Sequence, residues 1–204
     1  MLSARVIWQF WRRACRTYWL GKSQLLYRGI LGGLGPGSRI IRPLKFSNPE
    51  FICLGSRVTI HEFCWLGAYP QPGLGVPLLT IGDGATIGHF NHITFVQRVE
   101  IGPKVLTADR VHISDNEHVF SEAGRAIMDQ GVVSRGPVAI GTGTWIGEGA
   151  NILSCRIGKG CVIGANAVVI ADVPDFSVAV GVPARVVKRY DISERRWLRV
   201  GGGA

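Results

Sequence analysis

The chain has 204 residues, of which 47% are hydrophobic and 18% are charged. This composition indicates a single globular domain with a substantial core and excludes a largely disordered protein. The net charge of +9 comes from residues 1–49, which hold nine Lys and Arg and no acid, while the rest of the chain is balanced. Because the charge belongs to one end rather than to a groove, a nucleic-acid-binding protein is not indicated.

The cysteines and the apolar segments predict a protein of a reducing compartment. The five cysteines form no CxxC pair and show no regular spacing, so we expect small buried side chains rather than disulfides. No apolar run reaches the ~18 residues of a membrane-spanning helix. Arg12 and Arg13 interrupt the N-terminal apolar stretch before it could form a signal peptide. We therefore expect a cytoplasmic protein.

The first predicted element is an amphipathic helix over 5–19, within a basic segment that spans 1–33. Its polar face carries Arg5, Gln9, Arg12, Arg13 and Arg16, and its other face is apolar and aromatic. A basic face opposite an aromatic one is typical of helices that lie in an anionic membrane interface. The alternative is a helix that packs over the open end of the domain and protects its edge strand. The sequence leaves both interpretations open.

An aliphatic residue recurs at every sixth position through most of the remaining chain. Fourteen of fifteen such hexads open with Leu, Ile or Val, and Thr107 is the exception. A period of six fits neither a helix nor an alternating strand. It fits short strands separated by turns and coiled into a three-sided prism, so fifteen hexads predict five coils. The second hexad position is often Gly, which we expect to supply backbone angles closed to other residues.

The interruptions of the period support this arrangement. Extra residues occur at 72–80, 99–100 and 119–139, and one residue is missing after Ile152. Each interruption follows the third hexad of a coil, so all of them are predicted at the same corner of the prism. The 21-residue insertion at 119–139 is long enough to be a functional loop.

These repeats resemble the hexapeptide-repeat acyltransferases, and the segment ADVPDFSVAVGVPARVVKR (171–189) is similar to the closing segment of that family. The segment VHISDNEH, the insertion and PVAIGTGTWIG together resemble the sugar and polysaccharide O-acetyltransferases, a group that includes maltose and galactoside acetyltransferases. The resemblance implies an all-β, left-handed parallel β-helix over 34–190, with the N-terminal helix, a short C-terminal helix and a tail over 191–204. It also implies a homotrimer and acetyl-CoA as acyl donor, with no metal.

The resemblance further implies that His118 is a general base, which deprotonates a sugar hydroxyl as its oxygen attacks the thioester in a ternary complex. The alternative is that His118 only caps a turn. The hexad phase places His92 and His112 in successive coils at one corner, where we expect a structural stack roughly 5 Å apart. His61 and His89 are expected to be ordinary corner residues.

Several further residues are candidates for the site. Asp115 could orient His118 or contact the acceptor, but an acid here could equally be a turn former. Asn91, in FNHIT, resembles an asparagine that contacts the acceptor in the galactoside and maltose enzymes, and Asn116 is the second predicted acceptor contact. By the same resemblance, the expected coenzyme contacts are Trp145, Ala165, Arg185 and Lys188. The alternatives are that Trp145 only packs on the surface and that the two cations belong to a solvated basic tail. The family often has a Lys before the Asp of the closing segment, whereas Ala171 precedes Asp172 here.

Three other functions remain open at this point. The same general base and coenzyme contacts could serve to acetylate the nitrogen of an amino sugar or an antibiotic. A zinc enzyme like the γ-type carbonic anhydrases would need His112 and His118, roughly 15 Å apart within one chain, to bind metal between chains. A β-helix without activity could act as a scaffold. The acceptor itself is not predicted.

Overall fold

A computed structural model describes residues 3–200. Helix α1 (Ala4–Leu26) and a 3-10 turn (Tyr27–Gly29) precede a three-sided prism of short parallel strands. Face A contains β1 (Gly33–Leu34), β4 (Ile52–Leu54), β7 (Leu78–Ile81), β10 (Arg98–Ile101), β15 (Val138–Ile140) and β18 (Arg156–Ile157). Face B begins with β2 (Arg39–Ile40), β5 (Thr59–Ile60), β8 (Thr86–Ile87), β11 (Leu106–Thr107), β16 (Trp145–Ile146) and β19 (Val162–Ile163). Face C contains β3 (Lys45–Ser47), β6 (Trp65–Ala68), β9 (His92–Phe95), β12 (His112–Ser114), β17 (Asn151–Leu153) and β20 (Val168–Val169).

The strand register confirms the predicted hexad phase. On face A, Ile81 pairs with Ile101, Ile101 with Ile140, and Ile140 with Ile157. These side chains point into the prism, where each is at most 3% exposed. The aliphatic residue that opens each hexad therefore builds the core, since burial of such side chains is the main favourable term in folding.

The glycine after the aliphatic residue has a different role from the one predicted. A Cβ added to Gly82 would lie 2.5 Å from the backbone nitrogen of Pro103, and one added to Gly141 would lie 2.4 Å from that of Lys159. Neither glycine has a left-handed φ. Close stacking of successive coils at the A–B corner, rather than unusual backbone angles, therefore requires glycine at this position.

The prism has six coils rather than the predicted five. The additional coil is formed by β1, β2 and β3. Its inward residues Leu34, Ile40 and Phe46 keep the six-residue spacing, but the aromatic Phe46 stands where the other coils have an aliphatic residue. The additional coil covers the N-terminal end of the core.

The predicted short C-terminal helix is wrong. After β19, face B continues with β21 (Ser177–Gly181), β22 (Ala184–Asp191) and β23 (Arg196–Arg199), and the last two pairings are antiparallel. The β-branched Val186 and Val187 favour an extended backbone. Val186 pairs with Ala179 of β21, and the carbonyl of Val187 accepts a hydrogen bond from the backbone nitrogen of Val200 at 3.0 Å. Part of the predicted tail over 191–204 is thus the final strand.

Helix α1 is attached to the prism only through its C-terminal half. The buried hydroxyl of Ser23 accepts a hydrogen bond from the backbone nitrogen of Ile40 at 2.8 Å. The Gln24 amide donates to the carbonyl of Ser38 at 3.1 Å. Residues 4–14 are all exposed. Packing on the prism, one of the two expected roles of the helix, therefore accounts for about half of its length. A separate finding is that residues 3–200 contain no helix of sufficient length and apolar character to span a membrane.

All irregular connections leave the prism at the corner between faces C and A, as predicted. The longest includes an antiparallel hairpin of β13 (Asn116–His118) and β14 (Val132–Ser134), with a 3-10 turn at Ile127–Asp129. We call residues 116–134 the hairpin. A shorter connection, after β3, contains the 3-10 turn Pro49–Phe51.

Candidate active site

His118 is the last residue of β13 and lies outside the prism. It is paired with Val132 on the other strand of the hairpin, and its side chain is exposed. The chain leaves face C immediately after Ser114. The imidazole of His118 is therefore held by the two-stranded hairpin and not at the C–A corner itself. Within residues 3–200, no side chain is hydrogen-bonded to its ring nitrogens, which leaves both nitrogens accessible to a substrate.

The carboxylate of Asp115 is fully buried and points back into the fold. It accepts hydrogen bonds from the backbone nitrogens of Val96 (2.8 Å), Gln97 (2.8 Å) and Arg98 (2.7 Å). The Asn116 amide donates to the same carboxylate at 3.1 Å. Of the two expected roles of Asp115, this geometry favours a structural one, because its oxygens bind the preceding coil and do not reach His118.

The other predicted acceptor contacts differ in their accessibility. Asn91 is fully buried, and its amide donates to the carbonyls of Ala108 at 2.8 Å and His89 at 3.2 Å. These contacts hold the Asn91 side chain among the inward residues of the corner, and the acceptor contact expected from FNHIT stays a prediction. Asn116, in contrast, is half-buried at the start of β13, two residues from His118.

His92 and His112 form the expected stack on face C. Their ring centroids are 5.4 Å apart, and Trp65 stacks on His92 at 4.3 Å. Burial lowers the pKa of both histidines, and His112 lowers that of His92 further. This row of rings belongs to the middle strands of face C and is separate from the hairpin.

The predicted coenzyme contacts lie on or next to face B. Trp145 pairs with Val162, Val162 with Val178, and Val178 with Lys188, so Trp145 and Lys188 are in one row across the sheet. Arg185 is opposite Val180 on the same pair of strands. These three side chains are exposed, as is Ala165 at the B–C corner. They therefore share one side of the prism, whereas the hairpin leaves the corner opposite to it.

A groove of about 1000 Å³ runs along face A. Its walls include Lys159, Arg156 and Asp172, and none of the predicted coenzyme contacts lies in it. Asp172 accepts a hydrogen bond from the backbone nitrogen of Arg156 at 2.8 Å. Asp172, which belongs to the closing segment, thus stabilises the turn at Arg156 through this hydrogen bond.

The thiols that the structure buries are poor nucleophiles. Burial raises the pKa of Cys64 and of Cys155 to about 12 and also raises that of Cys161. A thiol with a raised pKa stays protonated at neutral pH, and the thiolate is the reactive form. These three residues have the small buried side chains that the cysteine pattern predicts.

Two clusters at the B–C corner were missed in the sequence. His61, Glu62 and His89 bring their donor atoms within 4.8 Å of one another, and Asp109 lies 3.0 Å from Nδ1 of His89. The second cluster is a groove between α1 and the first coils, lined by arginines and tryptophans. For the first cluster, the hexad phase does assign residues 61 and 89 to the same corner. For the second, no feature of the sequence predicts the orientation of α1 that brings it over this corner.

Comparison with known proteins gives relatives that carry the names of acetyltransferases. No family model matches the chain. A probable acetyltransferase of Mycobacterium tuberculosis is 43% identical over 173 residues, which cover 76% of this chain and only 57% of that protein. WbbJ of Escherichia coli K12, which carries the name of a lipopolysaccharide biosynthesis O-acetyl transferase, is 31% identical over 167 residues that cover 78% of this chain and 83% of WbbJ.

A solved structure with a similar fold is AntD, an N-acyltransferase of Bacillus cereus crystallised with dTDP and 3-hydroxybutyryl-CoA. Its TM-score is 0.68 over 84% of this chain and 90% of AntD. At 21% sequence identity, this likeness concerns the fold alone.

Proposed function

The chain belongs to the hexapeptide-repeat acyltransferase family, and from that premise we propose that it transfers an acetyl group from acetyl-CoA to a sugar hydroxyl of a polysaccharide or glycolipid precursor. The observation that carries the proposal is the exposed imidazole of His118 on a hairpin anchored to the prism. The name of WbbJ favours oxygen as the acceptor atom. Acetylation of an amino sugar is the second candidate.

His118 is the general base of the proposed reaction. A ring nitrogen takes the proton of the sugar hydroxyl while the oxygen attacks the thioester carbonyl and forms a tetrahedral intermediate. The intermediate then expels the sulfur of CoA, which receives the proton from the imidazolium. A base of this kind accelerates such a reaction by roughly 10² to 10⁴. Because the acetyl group passes directly to the acceptor, no acyl-enzyme is needed, which agrees with the raised pKa of the buried thiols.

Asp115 acts in this proposal as a positioning residue. Its three bonds to the backbone of residues 96–98 tie the start of β13 to the coil below. Hydrogen bonds from backbone N–H groups to an ionised carboxylate are stronger than those between neutral groups, so they hold the backbone on both sides in a fixed position. Asn116 is the remaining candidate for an acceptor contact on the hairpin.

Trp145, Ala165, Arg185 and Lys188 are the proposed contacts of the coenzyme. Trp145 would flank the pantetheine arm, and the two cations would meet the phosphates through charge-assisted hydrogen bonds. Their location on the side of the prism opposite the hairpin supports a site shared between chains. In a homotrimer, the hairpin of one chain would approach face B of its neighbour, which would unite base and coenzyme.

The N-terminal half of α1 is the proposed membrane contact, on the cytoplasmic side. Val6, Ile7, Trp8, Phe10 and Trp11 are between 45% and 75% exposed, and Trp8 stacks on Trp11 with centroids 5.5 Å apart. Exposed aromatic residues next to arginines are suited to the interface of an anionic bilayer. We expect full-length protein to sediment with phosphatidylglycerol vesicles, and a Trp8→Ser, Phe10→Ser, Trp11→Ser variant to stay in the supernatant. Equal recovery of both proteins would end this part of the proposal.

The test of the activity is a screen of acceptors with purified protein and acetyl-CoA, in which release of the CoA thiol is measured. The panel pairs each neutral sugar with the corresponding amino sugar, free and carrier-linked, so that oxygen and nitrogen acceptors are compared directly. With the best acceptor, His118→Ala should lower kcat by a factor of about 10² to 10⁴. The control His112→Gln, which removes the imidazole of a stacked histidine, should lower kcat less than about tenfold. A loss smaller than tenfold in His118→Ala would remove His118 as the base.

A further inference from the structure

A groove of about 370 Å³ separates α1 from the first coils at the B–C corner. Four arginines line it: Arg12 and Arg16 come from α1, and Arg39 and Arg42 come from the prism. Trp11 and Trp19 form apolar parts of its wall. The helix thus directs part of its basic face at the prism, while Phe10 and Tyr18 are 75% and 59% exposed to solvent.

The positive charge of this groove is not compensated within the chain. Among residues 3–200, none of the four arginines forms a salt bridge. The acid on the wall, Glu62, lies 3.1 Å from Nε2 of His89 and 3.7 Å from Nδ1 of His61. Burial lowers the pKa of the half-buried Arg39, and repulsion by the nearby exposed Arg16 lowers it further. An anion that bridged them would relieve this repulsion.

We propose that this groove binds the diphosphate group of the acceptor, so that the acceptor is a sugar linked through a diphosphate to a carrier. The inference rests on the proposed acetyl transfer and names its substrate class. Guanidinium groups bind phosphoryl oxygens in a bidentate manner, and a diphosphate offers enough oxygens for several of them. The two indole rings offer an apolar surface to the carrier beyond the diphosphate.

The position of the groove fits this role. Arg42 lies at the B–C edge of face C, and the hairpin with His118 leaves from the C–A edge of the same face. The strands of face C run from one edge to the other. An acceptor held by its diphosphate at the first edge would extend its sugars across face C, towards the base of the same chain.

Binding of inorganic pyrophosphate, measured by calorimetry on the full chain with saturating CoA, tests the site. The CoA fills the proposed donor site, so that the remaining binding reports on the groove. Arg16→Gln, Arg39→Gln should weaken pyrophosphate binding at least about tenfold, which corresponds to ~1.4 kcal/mol. The control Arg5→Gln, Arg28→Gln removes two exposed arginines outside the groove and should change it less than twofold. Equal weakening by both pairs, or no binding by the unmodified chain at about 5 mM, would overturn the proposal.

Two further arms identify the carrier. A prenyl diphosphate in neutral phosphatidylcholine vesicles and a soluble nucleoside-diphosphate sugar are each tested with both double variants. Binding of either compound that is lost in the groove pair alone supports the proposal and names the carrier. If pyrophosphate binds but neither compound does, the groove holds an adventitious ion only and the proposal fails. Since these readouts need no turnover, they stand apart from the test of acetyl transfer.

Discussion

The prism and the hairpin at 116–134 are built in opposite ways. The inward residues of the prism, such as Ile93 and Ile113, are fully buried, and each coil repeats the contacts of the coil below. The hairpin has three paired residues on each strand, and its tip is exposed, with Met128 at 83% exposure. The prism therefore supplies the stability, and the hairpin presents a reactive side chain that a packed core could not expose.

The two regions are joined at one buried residue, Asp115. Its bonds to the backbone of residues 96–98 belong to the prism, while the next residue begins the hairpin. From this comparison we expect that substitutions in the prism change the free energy of unfolding and that substitutions at the hairpin tip change it little. Substitution of Asp115 is expected to change both the free energy of unfolding and kcat.

The largest expected effect is that of Ile113→Ala in the prism. Loss of a fully buried isoleucine removes transfer free energy and leaves a cavity, so the free energy of unfolding should fall by about 2–5 kcal/mol. Met128→Ala at the hairpin tip should change it by no more than about 0.5 kcal/mol. Urea unfolding of both variants measures the contrast. Similar losses for both would mean that the hairpin contributes to the cooperative core.

Asp115→Ala should lower the free energy of unfolding by about 1–3 kcal/mol, because buried N–H groups lose their acceptor. It should also lower kcat, while the Kd for CoA stays the same, since the coenzyme contacts lie on another side of the prism. Asp115→Asn, which retains one acceptor oxygen, should recover part of both properties. Unchanged kcat in a folded Asp115→Ala protein would separate the carboxylate from the placement of His118.

Arg185→Gln, Lys188→Gln should raise the Kd for CoA by at least about tenfold, because even one lost charge-assisted hydrogen bond contributes roughly 1.5–3 kcal/mol and ~1.4 kcal/mol corresponds to a factor of ten. The affinity for desphospho-forms of the coenzyme should change less. Arg110→Gln, which removes a cation paired with Glu148, is the control and should leave the Kd unchanged. Calorimetric titration with CoA measures all three proteins. An unaffected Kd in the double variant would place the coenzyme elsewhere, with the groove on face A as the next candidate.

The smallest expected effect is a pH dependence of the histidine stack. Burial lowers the pKa of His92 and His112 below 6.5, so below that pH the unfolded chain binds protons that the folded chain excludes. Stability should therefore fall as the pH drops through 6.5 and level off below the folded pKa values. The decrease in Tm from pH 7.5 to 5 should be smaller in His92→Gln, His112→Gln than in the unmodified chain. Thr94→Ala, a non-titrating neighbour on face C, should retain the full decrease.

The sequence alone determined the phase of the coils, the common corner of the insertions and the stack of His92 on His112. These follow from a repeat in which register depends on spacing alone, so that counting residues predicts which side chains meet. The sixth coil was missed because Phe46 interrupts the aliphatic pattern, and the C-terminal helix was predicted where pairing with β21 favours a strand.

Tertiary structure decided the rest. Asn91 and Asp115 are polar residues of the same region, and only the fold shows that both side chains turn inwards to backbone partners. The meeting of Arg16 with Arg39 depends on the angle at which α1 leaves the first coil, which follows from the contacts of Ser23 and Gln24. A hexad spacing determines neighbours within the prism, but the orientation of a helix attached outside that repeat depends on long-range contacts that no local pattern encodes.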